Sequence, residues 1–184
     1  MFEFAAASLP WTTSRAAGIA ALLAASCSVA LGLAIATRRI KAKPGELKIA
    51  HEALSIATMV AIVVHAGALM FDGWPKPSVA DLLIPFVGDH APFWTGIGNI
   101  GGWGMVILGL TYYVRGRIGP QRWKTVHRLA SVTWVLSVGH ALGAGTDAGA
   151  AWFLVSLGAV VLPVAAALSL RWLPSGPGAL PTAG

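Results

Sequence analysis

Apolar residues in this chain come in long unbroken runs, not in the alternating or one-faced patterns of a water-soluble fold. Ala16–Ala36, flanked by Arg15 and Thr37, is the first, with 21 residues. An α-helix needs ~20 such residues to cross a bilayer. Further runs from about Leu47 to Met70, Phe93 to Val114, Trp123 to Leu142 and Ala150 to Leu173 predict four more helices. Breakers separate them. Pro44-Gly45 stands between the first two runs, Asp72-Gly-Trp-Pro-Lys-Pro77 closes the second, and Gly143–Gly149 parts the last two. Pro163 predicts a kink in the fifth helix, and Val79–Val87 a short helix on the membrane surface. The expected fold class is all-α: a polytopic membrane bundle of about five transmembrane helices. Residues 1–14 form an outer N-terminal segment, 15–173 the membrane domain, and the Pro/Gly-rich 174–184 a cytoplasmic tail without core-forming potential.

Composition agrees. Charged residues are 11% of the chain and mean hydropathy is +0.72, where a soluble domain carries roughly 25% charged residues. The net charge of +6 does not point to nucleic acid, because the cations are confined. Arg38, Arg39, Lys41, Lys43 and Lys48 lie between the first two runs, and Arg115, Arg117, Arg122, Lys124 and Arg128 between the third and fourth. These ten of thirteen cations, with Arg171, mark one side as cytoplasmic, leaving Arg15 and Lys76 outside. The other long connection holds Asp72, Asp81, Asp89 and His90. The N-terminus is then outside and the C-terminus inside. Trp11, Trp74, Trp94 and Trp152 fall near the outer surface and Trp123 and Trp172 near the inner one, as an aromatic belt requires. The single cysteine, Cys27, excludes an intrachain disulfide or a dithiol redox mechanism. Ala-Ala-Ser-Cys27 hints at a lipoprotein cleavage site. The leucine expected three positions before the cysteine is absent and the apolar run continues, so the reading is a retained helix.

Imidazoles inside apolar runs are costly and mark function by default. His51 and His65 stand fourteen residues apart in the second run, and His127 and His140 thirteen apart in the fourth. The two helices run the same way, so His51 and His127 share an inner depth and His65 and His140 an outer one. At 1.5 Å per residue the levels are ~20 Å apart. Each level has room for one haem with an imidazole on both axial positions, a low-spin arrangement suited to electron transfer. His51 and His65 share a helix face. His127 and His140 are ~140° apart in an ideal helix, so a tightened or irregular stretch near His127 or Gly139 must correct the phase. Other readings stay open: single histidines at helix ends serve as hydrogen-bonded interfacial groups, and polar glue or a proton relay would need no cofactor. His90 is either a solvated loop residue or a contact for an outer acceptor. Trp134, midway between His127 and His140, is a core residue or an inter-haem residue. Arg122, Lys124 and Arg128 serve the positive-inside pattern or meet haem propionates. Glu52, next to His51, is a group that supports the ligand or handles protons, or a solvated carboxylate. Gly98-Asn-Ile-Gly-Gly102 provides a small-residue face for a helix or a flat cofactor.

The pairs His-x13-His and, two helices later, His-x12-His resemble the ferric reductase-like transmembrane domain. That superfamily includes ferric reductases, NADPH oxidases and the haem subunit of the methionine sulfoxide reductase system. The stretch Tyr113-Val-Arg-Gly-Arg-Ile-Gly-Pro-Gln-Arg-Trp-Lys-Thr-Val-His-Arg-Leu129 is similar to its basic inner loop, where Trp-x3-His-Arg-Leu opens the second haem helix. The resemblance covers about residues 15–172. It implies two b-type haems, the inner held by His51 and His127 and the outer by His65 and His140, with electrons passing outward across a plasma membrane. The family usually has six helices, and the chain lacks a counterpart of the first. Larger members append a flavin and nicotinamide domain, for which this chain has no site. The resemblance therefore implies a separate cytoplasmic flavoprotein or the quinone pool as donor, and ferric iron, oxygen, a quinone or another outer-side partner as acceptor. A haem-binding sensor or assembly subunit, and a cofactor-free transport or scaffold subunit, are the alternatives.

Overall fold

A computed structural model describes residues 8–37, 43–73 and 76–172. Arg38, Arg39, Lys41, Trp74 and the tail from Leu173 onward lie outside the described residues, as do the side chains of Arg171 and Trp172. All regular structure among the described residues is helical. The elements are α1 (Leu9–Thr37), α2 (Pro44–Leu69), α3 (Val79–Leu83), α4 (Pro92–Leu110), a 3₁₀ turn (Thr111–Val114), α5 (Arg115–Ile118), α6 (Pro120–His127), α7 (Ala130–Gly143) and α8 (Ala151–Trp172). Among the described residues four stretches are long and apolar enough to cross a membrane: Leu9–Thr37, Gly45–Leu69, Pro92–Ile118 and Ala151–Ser169. The protein is a multi-pass helical membrane bundle. "Inner" and "outer" below name its two ends as the cation distribution assigns them.

The elements start where local chemistry favours it. Pro44, Pro92 and Pro120 each occupy a first turn, where a missing N–H costs nothing. Ser78 and Asp81 cap α3 reciprocally, Ser78 Oγ accepting from the Asp81 amide and the Asp81 carboxylate from the Ser78 amide. α3 is shorter than the surface helix expected over Val79–Val87, because Ile84 is extended and Phe86 sits at φ 70°. α1 begins six residues before Arg15, at Leu9.

The largest departure lies in the fourth run. The continuous helix expected from Trp123 to Leu142 is broken at Arg128–Leu129 into α6 and α7. No glycine or proline marks the break. It is made of i→i−3 bonds: the Arg128 amide to Thr125 O (3.3 Å), Leu129 to Val126 O (3.0 Å), Ser131 to Arg128 O (3.2 Å) and Val132 to Leu129 O (2.9 Å). Such bonds wind the chain at three residues per turn. The extra rotation corrects the helical phase between His127 and His140.

α1 and α2 pack as an antiparallel pair, as do α4 and α7. On α4, Gly101 and Gly104 face α7, where an added Cβ would meet Ser137 Oγ at 2.6 Å and Thr133 Cγ2 at 2.5 Å, while Gly102 faces Ile62 of α2. The Gly101–Gly102 part of the expected small-residue face, continued by Gly104, is therefore a helix-packing surface. The core joins α1, α7 and α8 through Ala25, Leu33, Trp134 and Val164, and through Leu22, Phe153 and Leu157. Pro163 lies inside the unbroken α8. Ile49, Val60, Val63, Ile107, Val155 and Leu162 are exposed, as lipid-facing side chains are in a bundle seen without its bilayer. At the outer end Arg15 grips the carboxylate of Asp147 with two hydrogen bonds, Nε donating to Oδ2 at 2.5 Å and Nη2 to Oδ1. The clamp ties α1 to the α7–α8 turn.

Candidate cofactor site: two facing histidine pairs

α2 carries two of the four histidines, α6 one and α7 one, and the fold brings them together as two pairs. The His51 and His127 rings face each other with centroids 6.2 Å apart and planes at 87°. His65 and His140 do the same at 6.2 Å and 70°. Two imidazole nitrogens on opposite sides of one metal at ~2 Å are ~4 Å apart, and each ring centre lies about 1 Å further out. Centroids near 6 Å therefore leave room for one metal ion that His51 with His127, or His65 with His140, would hold. Among the described residues no group of three or more His, Cys, Asp or Glu side chains gathers as a metal cage.

The ring orientation is set by backbone carbonyls. His65 Nδ1 donates to Ser14 O at 2.8 Å, His51 Nδ1 to Ser28 O at 2.9 Å, and His140 Nδ1 to Trp94 O at 2.9 Å. A carbonyl only accepts, so the proton sits on Nδ1 and Nε2 keeps its lone pair, the form of imidazole that binds a metal. Four residues after each carbonyl stands a glycine: Gly18, Gly32 and Gly98. The absent Cβ is what lets the ring in. A methyl at Gly18 would lie 2.9 Å from His65 Nδ1, one at Gly32 3.3 Å from His51 Cε1, and one at Gly98 would overlap the His140 ring. Two serines complete the α1 side. Ser14 Oγ donates to His65 O at 2.8 Å, and Ser28 Oγ shares a hydrogen bond with Ser55 Oγ at 2.9 Å. Ser14 to Ser28 is fourteen residues, as is His51 to His65, so one antiparallel register serves both.

The fourth histidine departs from this pattern. His127 Nδ1 is buried and has no hydrogen-bond partner among the described residues. Leu108 is fourteen residues after Trp94, but His127 precedes His140 by only thirteen, and the register is one residue short. The Leu108 carbonyl is close enough to interact with His127, yet no hydrogen bond of ordinary geometry closes. That carbonyl accepts from Thr111 Oγ1 at 2.6 Å, and Thr111 Oγ1 in turn accepts from Trp123 Nε1 at 3.2 Å. Tyr112 occupies the place where the other three carbonyls have a glycine. The His127 ring is stacked on Trp123, centroids 4.8 Å apart and planes at 23°.

A family model described as ferric reductase like transmembrane component matches residues 17–138, more than half of the chain. The chain belongs to the ferric reductase-like transmembrane family. Comparison with curated proteins and with solved structures found no match. The matched range takes in His51, His65 and His127 and stops two residues before His140. Domains of the ferric reductase-like family generally bind haem, and membership makes this protein a membrane electron-transfer component.

The other candidate residues fall in varied places. Arg122, Lys124 and Arg128 are exposed on α6 and the turn after it. His90 is exposed in the bend before α4, where its carbonyl accepts from Thr95 Oγ1 at 3.1 Å. Glu52 is half-buried beside His51. Trp134 is 2% exposed, donates from Nε1 to Ser26 Oγ at 3.0 Å and packs on Ala25, Leu33 and Val164, which is the environment of a core residue. Ser14, Ser28, Gly18 and Gly32 were not anticipated, and Gly98, Trp94 and Trp123 were expected only as parts of a small-residue face and of the aromatic belt. The readable signal was Ser-x3-Gly occurring twice on α1 at the histidine spacing of α2.

Proposed function

We propose that this protein carries electrons across a plasma membrane through two b-type haems, one between His51 and His127 and one between His65 and His140. The observation that carries the reading is the pairing: two facing imidazole pairs with the same 6.2 Å separation. A haem held this way supplies one-electron iron chemistry. What the chain supplies is ligation, spacing and surroundings. The Nδ1 anchors on Ser14, Ser28 and Trp94 hold three rings in the metal-binding tautomer. The rise along α2 separates the levels by ~20 Å, and the apolar helices around them keep water out. The exposed cations Arg122, Lys124 and Arg128 lie at the level of His127, where inner propionates would find them. His90, at the outer end, is in the region where an acceptor would approach. The cation distribution, which marks the inner end, supports a direction from a cytoplasmic-side donor to an outer-side acceptor. The donor is a cytoplasmic-side flavoprotein unit or a membrane quinone.

An optical spectrum of the purified protein, oxidised and dithionite-reduced, with the haem-to-protein ratio, tests this reading. The expected result is a reduced low-spin b-type spectrum and about two haems per chain. A ratio near one retains a single-site carrier, and a colourless protein after haem-supplemented expression overturns the proposal.

A further inference from the structure

Three imidazoles are held at Nδ1 and one is not, and the unheld one sits on a separate piece of helix. α6 has eight residues. It is preceded by Gly119 at φ 90°, a conformation suited to glycine, and followed by the Arg128–Leu129 turn. His127 and Trp123, stacked on each other, therefore stand on an element jointed at both ends. The other three histidines lie inside longer helices, α2 and α7. We infer that His127 is the displaceable member of the four, and that the inner site admits a small neutral ligand, of the carbon monoxide or imidazole class, in its place. This rests on the haem reading proposed above.

The argument is one of ligand strength and hold. An Nδ1–H···O=C bond makes an imidazole a better donor through Nε2 and fixes its plane, and loss of such a partner typically weakens metal binding 10–100-fold. At His65, His51 and His140 that bond is closed at 2.8–2.9 Å. At His127 the equivalent carbonyl, Leu108 O, accepts from Thr111 and closes no hydrogen bond of ordinary geometry to the ring, and Tyr112 stands at the position where the other three carbonyls have a glycine. The Trp123 stack orients the ring but adds no charge to its far nitrogen. His51, on the opposite side, is fully anchored and would retain the metal while His127 withdraws.

The test uses the full-length protein with its haem. Carbon monoxide is titrated into the dithionite-reduced wild type and imidazole into the oxidised form, both followed by absorbance. His127→Ala and His140→Ala variants identify which spectrum belongs to which level. The expected result is conversion of one haem only, the one whose spectrum His127→Ala alters. Gly98→Ala, which displaces the His140 ring from the Trp94 carbonyl, should make the outer haem reactive as well, with at least tenfold tighter carbon monoxide binding there. Conversion of both wild-type haems, of neither, or of the outer one first would overturn the inference while leaving the two-haem reading in place. A preparation that holds no haem sinks that reading itself.

Discussion

The outer and inner histidine pairs have the same separation but are built differently. At the outer pair both rings are tied to backbone, His65 to Ser14 and His140 to Trp94, each through a gap left by a glycine. At the inner pair only His51 is tied, and His127 leans on Trp123. Ring distance alone would call the pairs equivalent. The hydrogen bonds behind the rings separate a rigid site from one with a single adjustable wall, and the difference traces to one missing residue in the fourth run.

The comparison can be broken most severely at the ligands. His140→Ala should take the haem content from about two per chain to about one and abolish transmembrane electron transfer, leaving the inner spectrum intact. Retention of both haems would remove His140 from the ligand set. Next in size is Gly98→Ala, whose methyl has nowhere to go. We expect a 10–100-fold loss of outer haem affinity and about 1–3 kcal/mol of destabilisation from overpacking, read by haem loss on dilution and by thermal melting. Gly32→Ala should be milder, because its Cβ meets only the edge of His51 at 3.3 Å; equal effects would mean that ring clearance is not the controlling factor. Smallest is Trp123→Leu. Loss of the stack should cost about 0.5–1.5 kcal/mol and alter the inner low-spin electron paramagnetic resonance signal without touching the outer one. A change in the outer signal would count against two independent sites.

Much of this was legible in the residues. The long apolar runs gave the helical membrane bundle directly, since length and hydropathy are what the bilayer demands. The four histidines and their pairing by depth followed from spacing and alternating direction. The carbonyl anchors did not, because Ser, Gly and Trp within an apolar helix read first as packing residues, and a backbone acceptor has no side-chain signature. The Arg128–Leu129 break was foreseen as an irregular stretch near either His127 or Gly139, and the sequence did not choose between the two. Its location carries no glycine or proline and depends on which carbonyls the following amides choose. Trp134 was legible as a core residue from its midway position in an apolar run, and Ser26, buried on α1, receives its N–H there.

The shared fourteen-residue step on α1 and α2 has a further effect. Bilayers differ in thickness, and helices answer by tilting or by bending the lipid around them. Here Ser14 holds His65 while Ser28 holds His51, so two adjacent helices are pinned to each other at both depths. A thicker or thinner membrane can tilt the hairpin as a unit, but it cannot slide one helix along the other without breaking both pins. The span between the two levels is thereby a property of the polypeptide and stays constant whatever lipid surrounds it.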